Sequence, residues 1–454
     1  MTPYKILFTD TVDPFSEVEN RYPPLGPGYL TSYLKNHDPD QSYEFNYVNA
    51  LTEKNIEDFS PDIIAITAVS QNYERAKKYA SLAKDFGKLV IIGGVHISSL
   101  PTTLTDQMDI GIIGEGEQTF FEIIKTLSRS NSFDKKKIEN IPGICYHKNG
   151  ILILTGKRDF LKENEIPHPI RTLTGYRTHD YIFSSRGCPY RCRFCASSRY
   201  WDKVRWLAPE FVIEEICDML DNGAKMISFY DDLFIANKPR LEKIANLIDQ
   251  QRINKRIKFT CSARANLIDE KTVGYLKKMN VVSVGLGLES GNQRILNYLK
   301  GDNVTLEDNR RAISLLNHAG IQANASFIIG SPDETIEEML DTYQFIRDNG
   351  LSFADVYILT PFPGTPVWDY AKEKGYVSDN MDWNNLNINF ERNSKSAIIL
   401  SEKLDRETII QIYKKFRRLR MYKILIALPK SPWLKDVPKM LVFLAKVHLR
   451  RLFS

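Results

Sequence analysis

Residues 184–196 read Ser184-Ser-Arg-Gly-Cys188-Pro-Tyr-Arg-Cys192-Arg-Phe-Cys195-Ala196, following the strand-like run Tyr181-Ile-Phe-Ser-Ser. Three thiols thus fall within eight residues, spaced Cys-x3-Cys-x2-Cys. Thiolates hold iron–sulfur clusters, and three in one loop can hold three irons of a cubane while the fourth stays open to an outside ligand. A structural zinc site usually needs four protein ligands, and no second Cys pair or His pair stands nearby. Cys145, Cys217 and Cys261 sit alone and read as packing residues. Six cysteines in 454 residues make no disulfide framework, so the tight trio reads as metal ligation.

Beyond the cysteines, strand and helix signals alternate. Strands are expected at Tyr181–Ser185, Met226–Tyr230, Ile257–Cys261, Val281–Leu288, Ala323–Gly330 and Asp355–Thr360. Helices are expected to start near Pro209, Pro239, Asp269, Thr305 and Thr335. Six such units over 176–385 fit a partial (β/α)6 barrel, and in barrels reactive residues lie where strands end. Those ends carry Asp231 and Asp232, Arg264, Glu289-Ser-Gly, Gly330-Ser-Pro and Thr360-Pro-Phe-Pro-Gly-Thr-Pro. Carboxylates there can make charge-assisted hydrogen bonds, and a guanidinium can grip a carboxylate bidentately. For Asp231 and Asp232 a solvated helix N-terminus is the competing reading.

Before the cysteines, residues 1–135 alternate apolar runs (Lys5–Phe8, Tyr43–Val48, Ile63–Thr67, Leu89–Gly93, Ile110–Gly114) with helical stretches beginning near Pro27, Glu53, Asn72 and Gln118. That pattern predicts an open parallel sheet of the α/β class, which binds ligands beyond the carboxyl ends of its strands. These ends carry Thr67 and Ser70, Gly93-Gly94-Val-His96 and Gly114-Glu115-Gly-Glu. Small residues there admit a bulky ligand close to the backbone. Tight strand-to-helix turns would equally account for the glycines, and a hydrogen-bonded core role for His96.

The cysteine spacing, with Phe194 before the last thiol, resembles the signature of the radical S-adenosylmethionine (SAM) superfamily. Pro23-Pro-Leu-Gly-Pro-Gly-Tyr-Leu, Pro61-Asp-Ile-Ile-Ala-Ile-Thr, Gly93-Gly-Val-His, Gly114-Glu-Gly-Glu, Phe229-Tyr-Asp-Asp-Leu-Phe, Gly287-Leu-Glu-Ser-Gly, Lys300-Gly and Pro361-Phe-Pro-Gly-Thr-Pro resemble the members with a cobalamin-binding domain. The resemblance covers about residues 1–385. It implies a 4Fe-4S cluster on Cys188, Cys192 and Cys195, with S-adenosylmethionine on the open iron, held by Asp231, Asp232, Arg264 and Glu289. One electron from a donor such as flavodoxin or ferredoxin would then release a 5′-deoxyadenosyl radical. It also implies a corrinoid on the sheet edge near Thr67, Ser70, Gly93, Gly94, His96, Gly114 and Glu115. The Asp-x-His-x-x-Gly signature that supplies a lower axial ligand is absent, so His96 is not read as one. Methylthiotransferases share the outline but carry further N-terminal cysteines and a C-terminal RNA-binding domain, neither of which is seen. The function implied is a cobalamin-dependent methyltransferase acting on an unactivated carbon of a small or lipid-like substrate. Cyclisation or rearrangement without methylation, an N-terminal domain that no longer binds cobalamin, and a non-catalytic cluster-binding protein are the alternatives.

Composition, at 43% hydrophobic and 26% charged, is globular and excludes collagen-like, coiled-coil and disordered chains. The net +5 hides an asymmetry. Residues 411–454 hold twelve Lys and Arg against one Asp, a net +11, so residues 1–410 carry −6. Residues 136–175 are polar and read as a linker, with a hairpin expected around His147-Lys-Asn-Gly. Residues 386–454 read as a basic helical extension, with one amphipathic helix at 405–426 and a second at Met440–Phe453. Such helices suit a membrane surface, and a helical cap with a solvated charged face is the plainer reading. No nucleic-acid-binding module accompanies the charge. With neither a secretory leader nor an 18-residue apolar run, the expectation is a cytoplasmic protein, with peripheral contact at the inner face of the membrane through 411–454.

Overall fold

Apolar runs flanked by turn-formers form strands in the computed structural model. It describes residues 3–12, 24–130, 134–388 and 390–427. The chain divides into two compact units. The first takes the described residues of Met1–Ala224 with Thr360–Ile398, and the second takes Lys225–Leu359 with the described residues from Ile399 onward.

In the first unit, β1 (Tyr4–Asp10), β2 (Tyr43–Val48), β3 (Ile63–Thr67), β4 (Leu89–Gly93), β5 (Ile110–Ile112), β6 (Ile144–Lys148) and β7 (Ile151–Leu154) form one sheet, ordered β2-β1-β3-β4-β5-β6-β7. The first five strands are parallel. The order 2-1-3-4-5 is a doubly wound one that reverses direction at β1 and β3, where ligands bind. Helices Leu25–His37, Glu53–Phe59, Tyr73–Asp85 and Glu117–Ser128 occupy the gaps. Ile6, Phe8, Leu34, Ile63, Ile91, Ile110, Phe120 and Ile123 form the shared core. The hairpin expected within the linker is present and extends the sheet. The His147-Lys-Asn-Gly turn, with Asn149 and Gly150 both at positive φ (53° and 77°), closes the β6–β7 hairpin onto β5. Burial of Cys145 and Tyr146 anchors it.

β8 (His179–Ile182), the first of the six expected barrel strands, also lies in this unit. So do two short strands around the cysteine loop, β9 (Ser185–Arg186) and β10 (Arg205–Trp206), paired antiparallel. Residues 360–398 return here as well. Thr365 caps helix Pro366–Glu373 by accepting from Trp368 N, and Trp383 packs edge-on to Tyr73 and His96, with ring centroids 6.1 and 4.5 Å away.

The second unit contains the other five expected strands, β11 (Met226–Phe229), β12 (Lys258–Ala263), β13 (Val281–Glu289), β14 (Gln322–Ile329) and β15 (Phe353–Ile358). They pair in chain order, all parallel. Helices start where capping side chains stand. Asn237 accepts from Arg240 N, Asp269 from Thr272 N, and Thr305 and Thr335 form reciprocal capping boxes with Asp308 and Glu338.

Helix Arg406–Ala427 buries Ile409, Ile412, Phe416 and Leu419, one stripe at helical spacing. Part of the basic charge fastens it. Arg420 pairs with Asp355 at 3.0 Å, and Lys423 Nζ donates to Arg347 O and Asn349 O at 3.2 and 3.0 Å, at the end of helix Ile336–Asp348. Tyr422 is exposed beside Met421, Leu425 and Ile426, because the apolar stripe ends at Leu419. The second expected helix, Met440–Phe453, lies outside the described residues. Among them no helix is long and apolar enough to cross a membrane.

Phe416 meets Tyr343 edge to face, with centroids 5.7 Å apart. Phe416→Ala is expected to destabilise the protein by about 3–5 kcal/mol in urea unfolding. An unchanged midpoint would mean that the helix adds nothing to its unit.

Candidate active site

Cys188, Cys192 and Cys195 are all half-buried on the loop between β9 and β10. Cys195 N donates to Cys192 O at 3.3 Å, closing a turn, and Ser198 Oγ donates to Cys195 O at 3.0 Å. Arg191 reaches over the turn to the carbonyl of Ser198. Entry to the loop is pinned. Gly187 has φ 99°, and a Cβ there would lie 2.9 Å from Lys203 O and 3.1 Å from Trp201 Cβ. Soft sulfur donors on one short loop fit an iron–sulfur cluster. Among the described residues no three His, Cys, Asp or Glu side chains are gathered around a single-ion position, so the fit rests on donor chemistry and spacing.

At the sheet edge, two glycine turns are tied by a residue that the motifs did not mark. Ser98 Oγ donates to Gly94 O at 2.9 Å and accepts from Gly114 N at 3.0 Å. Gly94 has φ 101°, and a Cβ would meet Ala68 O at 2.5 Å. Gly93 is looser, with Ile112 Cβ 3.9 Å from its Cβ position. Thr67 is exposed, and beyond the ends of β3 and β4 Val69 and Val95 stand 37% and 43% exposed. Uncovered valines at the ligand-binding end of a parallel sheet suit a large, flat, largely apolar ligand.

Ser70 and His96 face inward instead. His96 is wholly buried, with Nδ1 3.0 Å from Ser70 Oγ and Nε2 3.0 Å from Thr103 Oγ1. Its ring lies against Tyr73, centroids 3.8 Å apart. Burial, helped by the charge of Lys77, pushes its pKa down to about 3. Both nitrogens are engaged by hydroxyls, so His96 braces the edge from beneath.

Glu115 is engaged too. Arg205 grips it bidentately, with Nη1 and Nη2 each 2.8 Å from a carboxylate oxygen. Arg186 donates to it, and Leu161 N donates at 2.9 Å. Glu117 takes the other Arg186 nitrogen at 2.7 Å. Burial pushes the Glu115 carboxyl upward, but the two guanidiniums outweigh it and hold it below its ordinary value.

In the second unit, Glu289 ends β13 in the left-handed region, φ 64°, where a non-glycine residue is strained. Lys300 Nζ lies 3.3 Å from its carboxylate and donates to Gly287 O. A Cβ on Gly287 would run into the folded-back carboxylate, which explains that glycine. Burial raises the Glu289 pKa, opposed by Lys300 and then Arg264. Arg264 is buried and reaches Lys300 O at 3.5 Å. The strand ends thus gather Arg264, Glu289 and Lys300. Asp231 is buried within the electrostatic reach of Arg240 and Cys261, while Asp232 is exposed.

The family model of the radical SAM superfamily matches residues 182–346, and that of the B12 binding domain matches residues 13–124. An uncharacterised methyltransferase of Pyrococcus horikoshii is 33% identical over 373 residues, spanning 77% of this chain and 78% of the relative. The chain belongs to the radical SAM enzymes that carry a B12-binding domain. The anaerobic magnesium-protoporphyrin IX monomethyl ester cyclase of Rubrivivax gelatinosus is 26% identical, over 91% of this chain and 76% of that one. Among solved structures, the radical SAM methyltransferase TsrM of Kitasatospora setae shares the fold, with a TM-score of 0.69 at 17% identity, covering 82% of this chain and 77% of that one.

As a radical SAM enzyme with a B12-binding domain, the protein works with a 4Fe-4S cluster, S-adenosylmethionine and cobalamin. Sequence motifs missed Arg186, Arg205, Ser98 and Trp383. Arg186 lies inside the quoted cysteine stretch, but nothing local marks its partner as Glu115, 71 residues away.

An unfolded histidine takes up a proton near pH 6.5, whereas native His96 stays neutral down to about pH 3. Its contribution to stability is therefore full above about pH 6.5 and lost progressively as pH falls toward 3. His96→Gln is expected to lower the urea midpoint at neutral pH yet flatten its decline between about pH 6.5 and 4. Parallel curves for the two proteins would remove His96 from the acid response.

Proposed function

We propose that this radical SAM enzyme transfers a methyl group to an unactivated carbon of an apolar small molecule. The observation that carries the reading is one unit holding both an uncovered apolar B12-type sheet edge and a three-thiol loop. The 33% identity to a methyltransferase over most of both chains supports the reaction class. When bound, the cluster, S-adenosylmethionine and cobalamin supply reductive sulfonium cleavage and a transferable methyl group.

The chain's own residues then bind and orient. Cys188, Cys192 and Cys195 hold iron as thiolates. Asp231, Asp232, Arg264 and Glu289 hold S-adenosylmethionine by charge-assisted hydrogen bonds; Lys300 keeps the Glu289 carboxylate fixed at its strand end. Thr67, Gly93, Gly94 and Gly114 present the cobalamin edge, while Ser70, His96 and Glu115 brace it. The functional division we assign is 1–135 for cobalamin, 136–175 as connection, 176–385 for radical chemistry and 386–454 as extension. A flavodoxin or ferredoxin supplies the electron.

The apolar substrate class is favoured by the exposed Met421, Tyr422, Leu425 and Ile426 beside exposed Arg417 and Arg418, an arrangement that suits an anionic membrane surface. A second reading, ring closure without methylation, is supported by the cyclase that aligns over 91% of the chain.

Anaerobically reconstituted protein given dithionite and S-adenosylmethionine is expected to yield 5′-deoxyadenosine and to bind hydroxocobalamin. The triple Cys188/Cys192/Cys195→Ala variant should lose iron and that nucleoside together; iron retention would refute the ligand assignment. Isotope-labelled methionine methyl appearing in product separates methylation from cyclisation. A chain ending at Ala427 is expected to retain part, and the full chain all, of the co-sedimentation with phosphatidylglycerol vesicles. No binding by either chain would count against the membrane reading.

A further inference from the structure

Four charges are buried at one place in the first unit. The side chains of Arg205, Arg186, Glu115 and Glu117 are only 0%, 10%, 6% and 6% exposed. Two of them are forced together by backbone pairing. Arg186 on β9 and Arg205 on β10 are direct partners across the antiparallel ribbon, where like charges repel. Buried guanidiniums so placed need counter-ions. The Gly114-Glu115-Gly-Glu117 turn of the B12-binding sheet supplies them, with Glu115 touching both arginines and Glu117 one. Aromatic faces close the rest. Arg205 lies 5.0 Å over the rings of both Phe160 and Trp201, and Arg186 lies 4.9 Å over that of Tyr29.

Arg186 is two residues before Cys188, and Gly187 between them is fixed against Lys203 and Trp201. The direction in which the first thiol leaves β9 is therefore set by the ribbon, and the ribbon by a carboxylate from the cobalamin edge. We propose that Glu115 is a positioning residue for the cysteine loop, acting through Arg186 and Arg205, so that the cobalamin edge and the cluster loop keep a fixed geometry. The proposal rests on Cys188, Cys192 and Cys195 being the cluster ligands. Glu115→Gln keeps the volume, opens no cavity, turns an amide N–H₂ toward guanidinium donors, and leaves two buried cations with one anion.

The test uses full-length protein reconstituted anaerobically with iron and sulfide, comparing wild type, Glu115→Gln and Glu122→Gln. Glu122, on the same helix as Glu117, pairs with Arg158 rather than with either ribbon arginine, and serves as the control loss of an ion pair. Glu115→Gln is expected to release iron to a chelator ~10-fold faster, the scale of outer-shell effects on metal sites. The electron paramagnetic resonance signal of its reduced cluster should also respond differently to S-adenosylmethionine. Glu122→Gln should match wild type in both. If Glu115→Gln does not fold, Glu115→Asp, which keeps the charge on a shorter arm, is expected to show the same changes at smaller size. Wild-type iron release and spectra in a folded Glu115 variant, or equal acceleration by Glu122→Gln, would overturn the proposal. A wild type that takes up no iron would sink the ligand assignment itself, a distinct failure.

Discussion

Parallel strands impose the constraint on which the rest depends. A parallel pair cannot be joined by a tight turn, so each strand returns through a crossover and all carboxyl ends within a sheet point the same way. In the first unit, Thr67, the Gly93–Gly94 turn and the Gly114–Glu117 turn come to one edge because β3, β4 and β5 are parallel. In the second, the ends of β12 and β13 place Arg264 near Glu289 for the same reason. Residues far apart in sequence converge without any local signal bringing them together.

Burial then divides the polar residues at these ends into two kinds. A charge removed from water must be matched on nearly every side. Glu115 and His96 have their polar atoms engaged by neighbours within the protein, so they shape the edge. Thr67, Val69 and Val95 are left uncovered and form the surface a ligand would meet. Glu289 keeps a strained backbone and a carboxylate held by Lys300, the kind of local cost found at functional positions.

Much of this was legible in the chain. The five N-terminal apolar runs became β1 to β5 in the expected places. Helix starts followed Asp269, Thr305 and Thr335, because a capping side chain acts on amides only two or three residues away. Spacing alone brought out the cysteine trio. In residues 136–175 the turn residues of His147-Lys-Asn-Gly marked the hairpin, but not that its two strands would extend the sheet from β5. The basic tail was half legible. Its amphipathic stripe predicted the helix, but not that Arg420 and Lys423 would serve as fasteners to Asp355 and the end of a neighbouring helix.

By itself, the sequence determined what is local: periodicities of two and 3.6, caps, glycines at left-handed turns, and three thiols within one loop's reach. Those features depend on atoms a few residues apart, so a linear reading reaches them. Tertiary structure alone decided that His96 is a brace, that Trp383 returns to cover it, and that Glu115 neutralises two arginines 71 and 90 residues onward. Each of these follows from matching buried polar groups across distant segments, and only the folded chain brings those segments within a hydrogen bond's length.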